Sequence, residues 1–219
     1  MRVVLLIGSP KPKSSTSQIL GTIITDRLAS NHGAEIAIHH AHRALRATRF
    51  MEALRADIET ADLLLMSFPV YVDSLPYVLT AVLEALYSQP PTHRAAVAAV
   101  ANCGFPEADH THVSLGICAQ FAYAMDMPWH GGIGIGEGTA VNGAPLENLG
   151  PFGARLKQTL HEAADALAAR APIPPEVIDQ AARPMMPKRM YTFLGTLGWN
   201  KMARDNDARS VMWARPYDS

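Results

Sequence analysis

The sequence predicts an α/β protein: an open, doubly wound parallel sheet of five strands, helices on both faces, and a helical extension at the C-terminal end. Three observations carry this. Short apolar runs alternate with segments of helical period through about residue 169. The strand runs are continuously apolar instead of alternating, as expected of strands buried on both faces. After Ala171-Pro172-Ile173-Pro174-Pro175 the alternation stops.

The elements follow in order. Residues 3–7 are apolar and rich in β-branched side chains, a buried strand that Gly8-Ser9-Pro10 ends. From Ser15 to about Leu28, the positions Ile19, Leu20, Ile23, Ile24 and Leu28 keep helical spacing, and Gly33 closes the helix. Residues 34–39 form a short second strand, and Phe50, Leu54 and Ile58 mark a second amphipathic helix. A third strand over 62–68 stops at Pro69. The helix that follows, from about Pro76, carries Leu79, Val82, Leu83 and Leu86 and ends at Pro90-Pro91. Residues 95–101 read as the fourth strand, 108–125 as helix, 129–135 as a glycine-rich fifth strand, and 152–169 as a helix with Leu156, Leu160 and Leu167 on one face. The crossovers are expected to be right-handed. The division is a domain over 1–171 and an extension over 172–219. In the extension, a helix from about Pro187 to Asp207 carries Met190, Phe193, Leu194 and Leu197 on one stripe, packed on the domain or on a partner subunit.

Composition removes several classes of function. Of 219 residues, 48% are hydrophobic and 18% charged, enough for one substantial core and unlike a disordered tail. Nineteen basic and 20 acidic side chains leave a net charge of -1, so no overall field steers the chain onto nucleic acid or an anionic membrane. Two cysteines, Cys103 and Cys118, build neither a disulfide framework nor a four-thiolate metal site. No run approaches the ~18 apolar residues of a spanning helix, and the expectation is a soluble cytoplasmic protein with reduced thiols.

In an open parallel sheet, ligands bind beyond the carboxyl ends of the strands, near the point where strand order reverses. Three loops occupy that edge. The first, residues 8–17, crowds Ser9, Ser14, Ser15, Thr16 and Ser17 beside Lys11 and Lys13 ahead of a helix. That chemistry suits a phosphate at a helix N-terminus, although one hydroxyl would serve as an ordinary cap. The loop is neither a Walker A motif nor a G-x-G-x-x-G turn. The second loop, residues 67–76, is stiffened by Pro69 and Pro76 and puts Tyr71 and Val72 where side chains would flank a planar ring. The third, Asn102-Cys103-Gly104-Phe105-Pro106-Glu107, lets a backbone approach a ligand at Gly104; Cys103 has no neighbouring base and reads as a packing residue.

Together these loops resemble the NADPH-dependent FMN reductase and NAD(P)H-dependent oxidoreductase family of flavodoxin-like proteins. Gly8-Ser9-Pro10-Lys11 followed by Ser15-Thr16-Ser17 is similar to the family's G-S-P-[RK] turn. Ser67-Phe68-Pro69-Val70-Tyr71 is similar to its S-P-[VI]-Y loop, with one additional residue. The likeness covers roughly residues 1–170. It implies that Ser9, Lys11, Ser15, Thr16 and Ser17 hold the FMN phosphate. Pro69, Val70, Tyr71 and Val72 would border the ribityl chain and one ring edge, and Asn102, Gly104 and Phe105 would approach the other. It further implies NAD(P)H as electron donor, a small-molecule acceptor such as a quinone or flavin, and no obligatory side-chain acid or base; a homo-oligomer is expected because a cleft at a sheet edge is often completed by a neighbouring subunit. The third loop has fewer glycines than the family's often does. Where some relatives carry an iron–sulfur cysteine motif, this chain has His39-His40-Ala41-His42-Arg43.

Other signals read as packing. His39, His40 and His42 lack a cysteine or carboxylate companion for a metal, and no metal is expected. His110 or His112, near the third loop, are candidates for contact with a flavin or acceptor. The run of glycines from Gly131 to Gly138 has no lysine and no immediate helix behind it, so it reads as close passage of one backbone by another. The alternative to a reductase is a flavodoxin-like module that has lost FMN and acts in binding or regulation.

Overall fold

The computed structural model describes residues 1–11 and 14–215. Strands β1 (Arg2–Ile7), β2 (Glu35–His40), β3 (Leu63–Pro69), β4 (Ala96–Asn102) and β5 (Trp129–Ile135) form one parallel sheet in the order β2-β1-β3-β4-β5. The chain steps outward from β1 to β2 and then returns to the other side at β3. Strand order therefore reverses between β1 and β3, and the loops leaving those strands diverge there.

The pleat sends alternate side chains of β1 to opposite layers. Val3, Leu5 and Ile7 pack with α1 (Thr16–His32), α7 (Pro151–Ala168) and α8 (Pro175–Ala182). Val4 and Leu6 pack with α2 (Ala41–Ala44), α3 (Thr48–Ile58), α4 (Tyr77–Ser88) and α5 (His112–Ala124). Both layers are apolar, which is why the strand sequences read as unbroken hydrophobic runs. One further short helix, α6 (Gly138–Val141), follows β5.

Differences from the sequence expectation have local causes. The segment expected as one helix over 108–125 opens with a 3-10 turn, Ala108–Thr111, before α5. The short helix α2 follows directly on β2, where the sequence showed no break. Helix α8 lies where prolines had suggested only a stop; Pro175 is its first residue, a position that needs no N–H donor and favours the fixed φ of proline.

The chain divides into two compact units, Met1–Met185 and a second beginning at Met186. Residues 172–185 thus belong with the sheet, and the division falls later than the sequence boundary after Ala171. The Ile173 N–H donates to the His130 carbonyl at 2.7 Å, Val177 and Ala181 join the first core layer, and the Met185 N–H donates to Glu137 Oε2 at 2.6 Å. The second unit contains α9 (Lys188–Asp205), which exposes Phe193, Leu194, Leu197 and Trp199. Among the described residues, no helix is long and apolar enough to cross a membrane.

Helix α1 is held at both ends. Its N-cap Ser15 accepts from the Gln18 N–H at 3.2 Å, and Gly33 closes it with φ 63°. Midway, Gly21 lies against the sheet: a Cβ there would stand 2.8 Å from Leu5 Cδ1 and 3.0 Å from Ser67 Cβ. Toward the far end, Arg27 grips Asp165 of α7 through two 2.9 Å bonds, and His32 adds a third at 2.8 Å.

Two expectations follow. Gly21→Ala lowers stability by about 1–2 kcal/mol in urea denaturation, because overpacking outweighs the better helix propensity of alanine. The Arg27 hydrogen bonds, then those of His32, hold the Asp165 carboxyl down at about 2, below its ordinary 3.8. A depressed carboxyl stabilises the fold above its unfolded pKa and loses that contribution as pH falls through the folded value. Thermal melts of wild type and Asp165→Asn should therefore differ at pH 7 and converge as pH falls from about 4 to 2.

Candidate functional site

The first loop leaves β1 at Gly8, whose N–H donates to the Ser67 carbonyl at 2.8 Å. Most of its hydroxyls have structural work. Ser14 Oγ donates to the Gly143 carbonyl at 3.0 Å, Thr16 Oγ1 to the Gly138 carbonyl at 2.9 Å, and Ser17 Oγ to Asn102 Oδ1 at 2.8 Å. Ser15 caps α1, and Ser9 Oγ accepts from the Lys11 N–H at 3.4 Å. The hydroxyl density is thus largely a set of ties to the loops beyond β4 and β5. Still available as donors are the N–H groups of Thr16 and Ser17 in the first turn of α1, which have no intrahelical acceptor, the hydroxyl protons of Ser9 and Ser15, and the Lys11 ammonium. Lys11 forms no ion pair among the described residues.

The second loop is a tight hairpin. The Val70 N–H donates to the Asn102 carbonyl at 2.8 Å, and Tyr71 and Ser74 exchange backbone bonds of 3.1 Å each. Val72 and Asp73, at its tip, have φ of 50° and 56°. Two successive left-handed residues make a turn that normally takes Asn-Gly, and a β-branched residue there carries strain of roughly 1–2 kcal/mol. The turn aims Val72 outward; it is 99% exposed and does not border the ring site expected from the sequence.

In the third loop, the Cys103 N–H donates to the Ile135 carbonyl at 3.0 Å. Cys103 is buried, its Sγ–H directed at the carbonyls of Phe105 and Glu107. Burial raises its pKa, and burial alone pushes Cys118 up to about 12. Phe105 also turns away from the cleft. It is 58% exposed and lies against the His110 ring at 4.4 Å between centroids, while His110 Nδ1 is 3.4 Å from Asp73 Oδ1.

Between these loops lies a cleft of about 220 Å³. Ser9, Lys11, Ser15, Thr16, Ser17, Pro69, Val70, Tyr71, Asn102 and Gly104 line it, so the residues singled out from the sequence converge, Val72 and Phe105 excepted. The remaining wall was missed: Gly138, Thr139 and Asn142 of the segment after β5. Its only signal in the sequence was the glycine run. Gly136 and Gly138 do mark close passage, since a Cβ would lie 2.3 Å from the Pro106 carbonyl oxygen at the first and 2.8 Å from Asn102 Nδ2 at the second. The Gly138 N–H donates to the Cys103 carbonyl at 2.8 Å, so this residue joins the loops beyond the first, fourth and fifth strands. Among the described residues, no carboxylate lines the cleft, and Lys11 is its one charged residue.

The histidines of β2 and α2 lie elsewhere. His39 Nε2 bonds Asp57 Oδ2 at 2.7 Å, and the rings of His40 and His42 are 5.4 Å apart. Burial, then Arg43, lowers the pKa of His40. Among the described residues, no group of three or more side chains is arranged to hold a metal ion.

A parallel sheet of this strand order, with a polar cleft at its switch point, defines a flavodoxin-like α/β protein. The family model described as NADPH-dependent FMN reductase matches residues 1–128, more than half of the chain, and the chain belongs to that family. Solved structures agree on the fold. The apo form of an NADH:FMN oxidoreductase (EMOB) is similar at TM-score 0.56 and 16% identity, covering 86% of this chain and 97% of that one. An FMN-dependent NADH-azoreductase from Bacillus anthracis, in complex with FMN, has TM-score 0.54 and 14% identity, covering 76% and 99%. A putative quinone reductase from Klebsiella pneumoniae has TM-score 0.56 and 12% identity, covering 80% and 87%. No curated protein matches at the level of sequence.

The cleft fits the polar part of FMN by its donor set. Helix N–H groups, hydroxyl side chains and one ammonium line a space that holds no carboxylate among the described residues, as a phosphate dianion requires. At about 220 Å³ the cleft is smaller than the roughly 300–1,000 Å³ of sites that enclose a whole cofactor-sized ligand, so it suits the phosphate-bearing chain better than the ring.

Two outcomes are expected here. At pH 8 the native protein resists iodoacetamide at both cysteines, and mass spectrometry finds both alkylated after denaturation. Gly138→Ala forces Asn102 or the Cys103 carbonyl to move, and lowers both the melting temperature and the affinity for FMN.

Proposed function

We propose that the protein is an FMN-dependent NAD(P)H oxidoreductase acting on a small-molecule acceptor of the quinone or flavin type. The observation that carries this reading is the cleft at the switch point, lined by no carboxylate among the described residues, where the first turn of α1, Ser9, Ser15 and Lys11 converge. FMN held in this cleft would supply the redox chemistry between a reduced nicotinamide and the acceptor. The chain's own residues bind and orient. The α1 N-terminus and Lys11 neutralise the phosphate, Pro69, Val70 and Tyr71 form a stiff wall along one side, and Gly104 admits close backbone approach on the other. In this reading no side chain is an obligatory acid or base.

The working form is a cytoplasmic homo-oligomer in this reading. Supporting it are the exposed Tyr77, Val113, Ile117 and Tyr123 on α4 and α5, whose exposed positions carry one carboxylate, Glu84. A second reading, a binding module without FMN, draws on the hydroxyls of Ser14, Thr16 and Ser17 already engaged within the protein.

Absorbance after incubation with excess FMN and gel filtration separates the two. Retained bands near ~375 and ~450 nm are expected of a bound flavin, and a folded protein that retains none supports the binding module. Lys11→Ala is expected to weaken FMN about tenfold while leaving riboflavin, which lacks the phosphate, within about twofold. Steady-state oxidation of NADH and NADPH with a quinone and with free FMN as acceptors then assigns donor and acceptor.

A further inference from the structure

We infer that Asn102 is a ligand-facing hydrogen-bond donor whose direction is set by Ser17. Ser17 is then a positioning residue, and its hydroxyl is not a phosphate ligand; this inference rests on the FMN reading above. A side-chain amide presents an acceptor at one end and two donors at the other, and which end faces a ligand depends on what occupies the first. Ser17 Oγ donates to Asn102 Oδ1 at 2.8 Å and so claims the acceptor end.

Ser17 is itself fixed. Ser67 Oγ, at the end of β3, donates to the Ser17 carbonyl at 2.6 Å. Gly21, one turn further along α1, lets the helix come close enough to the sheet for that bond to form. Ser67, Ser17 and Asn102 are all buried, at 0%, 1% and 6% exposure. Buried polar groups hold their places through such bonds, because breaking one leaves a partner unsatisfied.

The Asn102 backbone is equally constrained. Its carbonyl accepts from Val70, and the next N–H, of Cys103, donates to Ile135. Nδ2 makes no hydrogen bond among the described residues, and it is not among the sealed-off polar atoms of the core. It opens on the cleft beside Gly138, where any side chain would crowd it. A donor at this point, between the phosphate-binding turn at Ser17 and the third loop at Gly104, matches an oxygen acceptor on a polyol chain. FMN and riboflavin share that chain and differ in the phosphate. The hydroxyl of Ser17 therefore acts on the shared part of the two flavins, through Asn102.

The experiment is fluorescence-quenching titration of FMN and of riboflavin against wild type, Ser17→Ala and Asn102→Asp, with melting temperatures in parallel. Asn102→Asp keeps the oxygen that accepts from Ser17 and removes the donors. Both variants are expected to lose affinity about fivefold or more, by similar factors for the two flavins. A loss confined to FMN overturns the inference, since it puts the Ser17 hydroxyl or the added charge against the phosphate. Unchanged affinity for both flavins, with or without a lower melting temperature, also overturns it and leaves the bonds as packing alone. If Asn102→Asp does not fold, Ser17→Ala decides by the same comparison. Wild type that binds neither flavin overturns the FMN reading itself, an outcome distinct from the other two.

Discussion

The carboxyl edge of the sheet depends on how closely α1 approaches β1 and β3. Gly21 permits that approach by having no side chain to place between the helix and Leu5 or Ser67. Once the helix is close, Ser67 reaches the Ser17 carbonyl and Ser17 reaches Asn102, so a helix and two strands are joined in a sealed polar line. The helix N-terminus consequently points at the same space as the ends of β3 and β4. A helix held a few tenths of an ångström further out would keep its partial charge but lose its register with the loops.

The second constraint runs along the opposite wall. The segment after β5 is bonded to the first loop through the carbonyls of Gly138 and Gly143, and to the third loop through the Gly138 N–H. A chain section that carries no recognisable motif thereby closes the cleft. The loop hydroxyls that resemble a phosphate cradle hold this wall in place, which leaves backbone N–H groups, Ser9, Ser15 and Lys11 as the first loop's donors toward the cleft. Hydroxyl-rich turns need not bind through their hydroxyls; they also tie loops together so that the amides face one way.

Membership in the NADPH-dependent FMN reductase family accords with a cleft that has hydrogen-bond donors and a stiff apolar wall. Where the reaction belongs to a cofactor, the protein's contribution is orientation and charge placement. Rigidity serves both. The proline-flanked second loop, the left-handed turn at Val72 and Asp73, and the buried serine–asparagine line all limit the motion that a ligand would otherwise have to freeze out.

The sequence by itself determined the strand–helix alternation, the buried character of the strands and the three loops at their ends. These are legible because burial on both faces writes an unbroken apolar run, and because turns, caps and proline stops are local chemistry. Side-chain direction was not legible. Val72 and Phe105 sit in the right loops yet face away from the cleft, one turned by a left-handed backbone pair, the other drawn toward His110. Helix α8 was hidden by prolines that in fact begin it. Thr139 and Asn142 could not be found at all, since the segment that carries them is set against the cleft by bonds from Ser14 and Thr16, more than a hundred positions away, and from Gly138 to Cys103. Only the tertiary structure decided which loop faces which, because that choice depends on close approach between distant segments, and no local pattern encodes such an approach beyond the glycines that leave room for it.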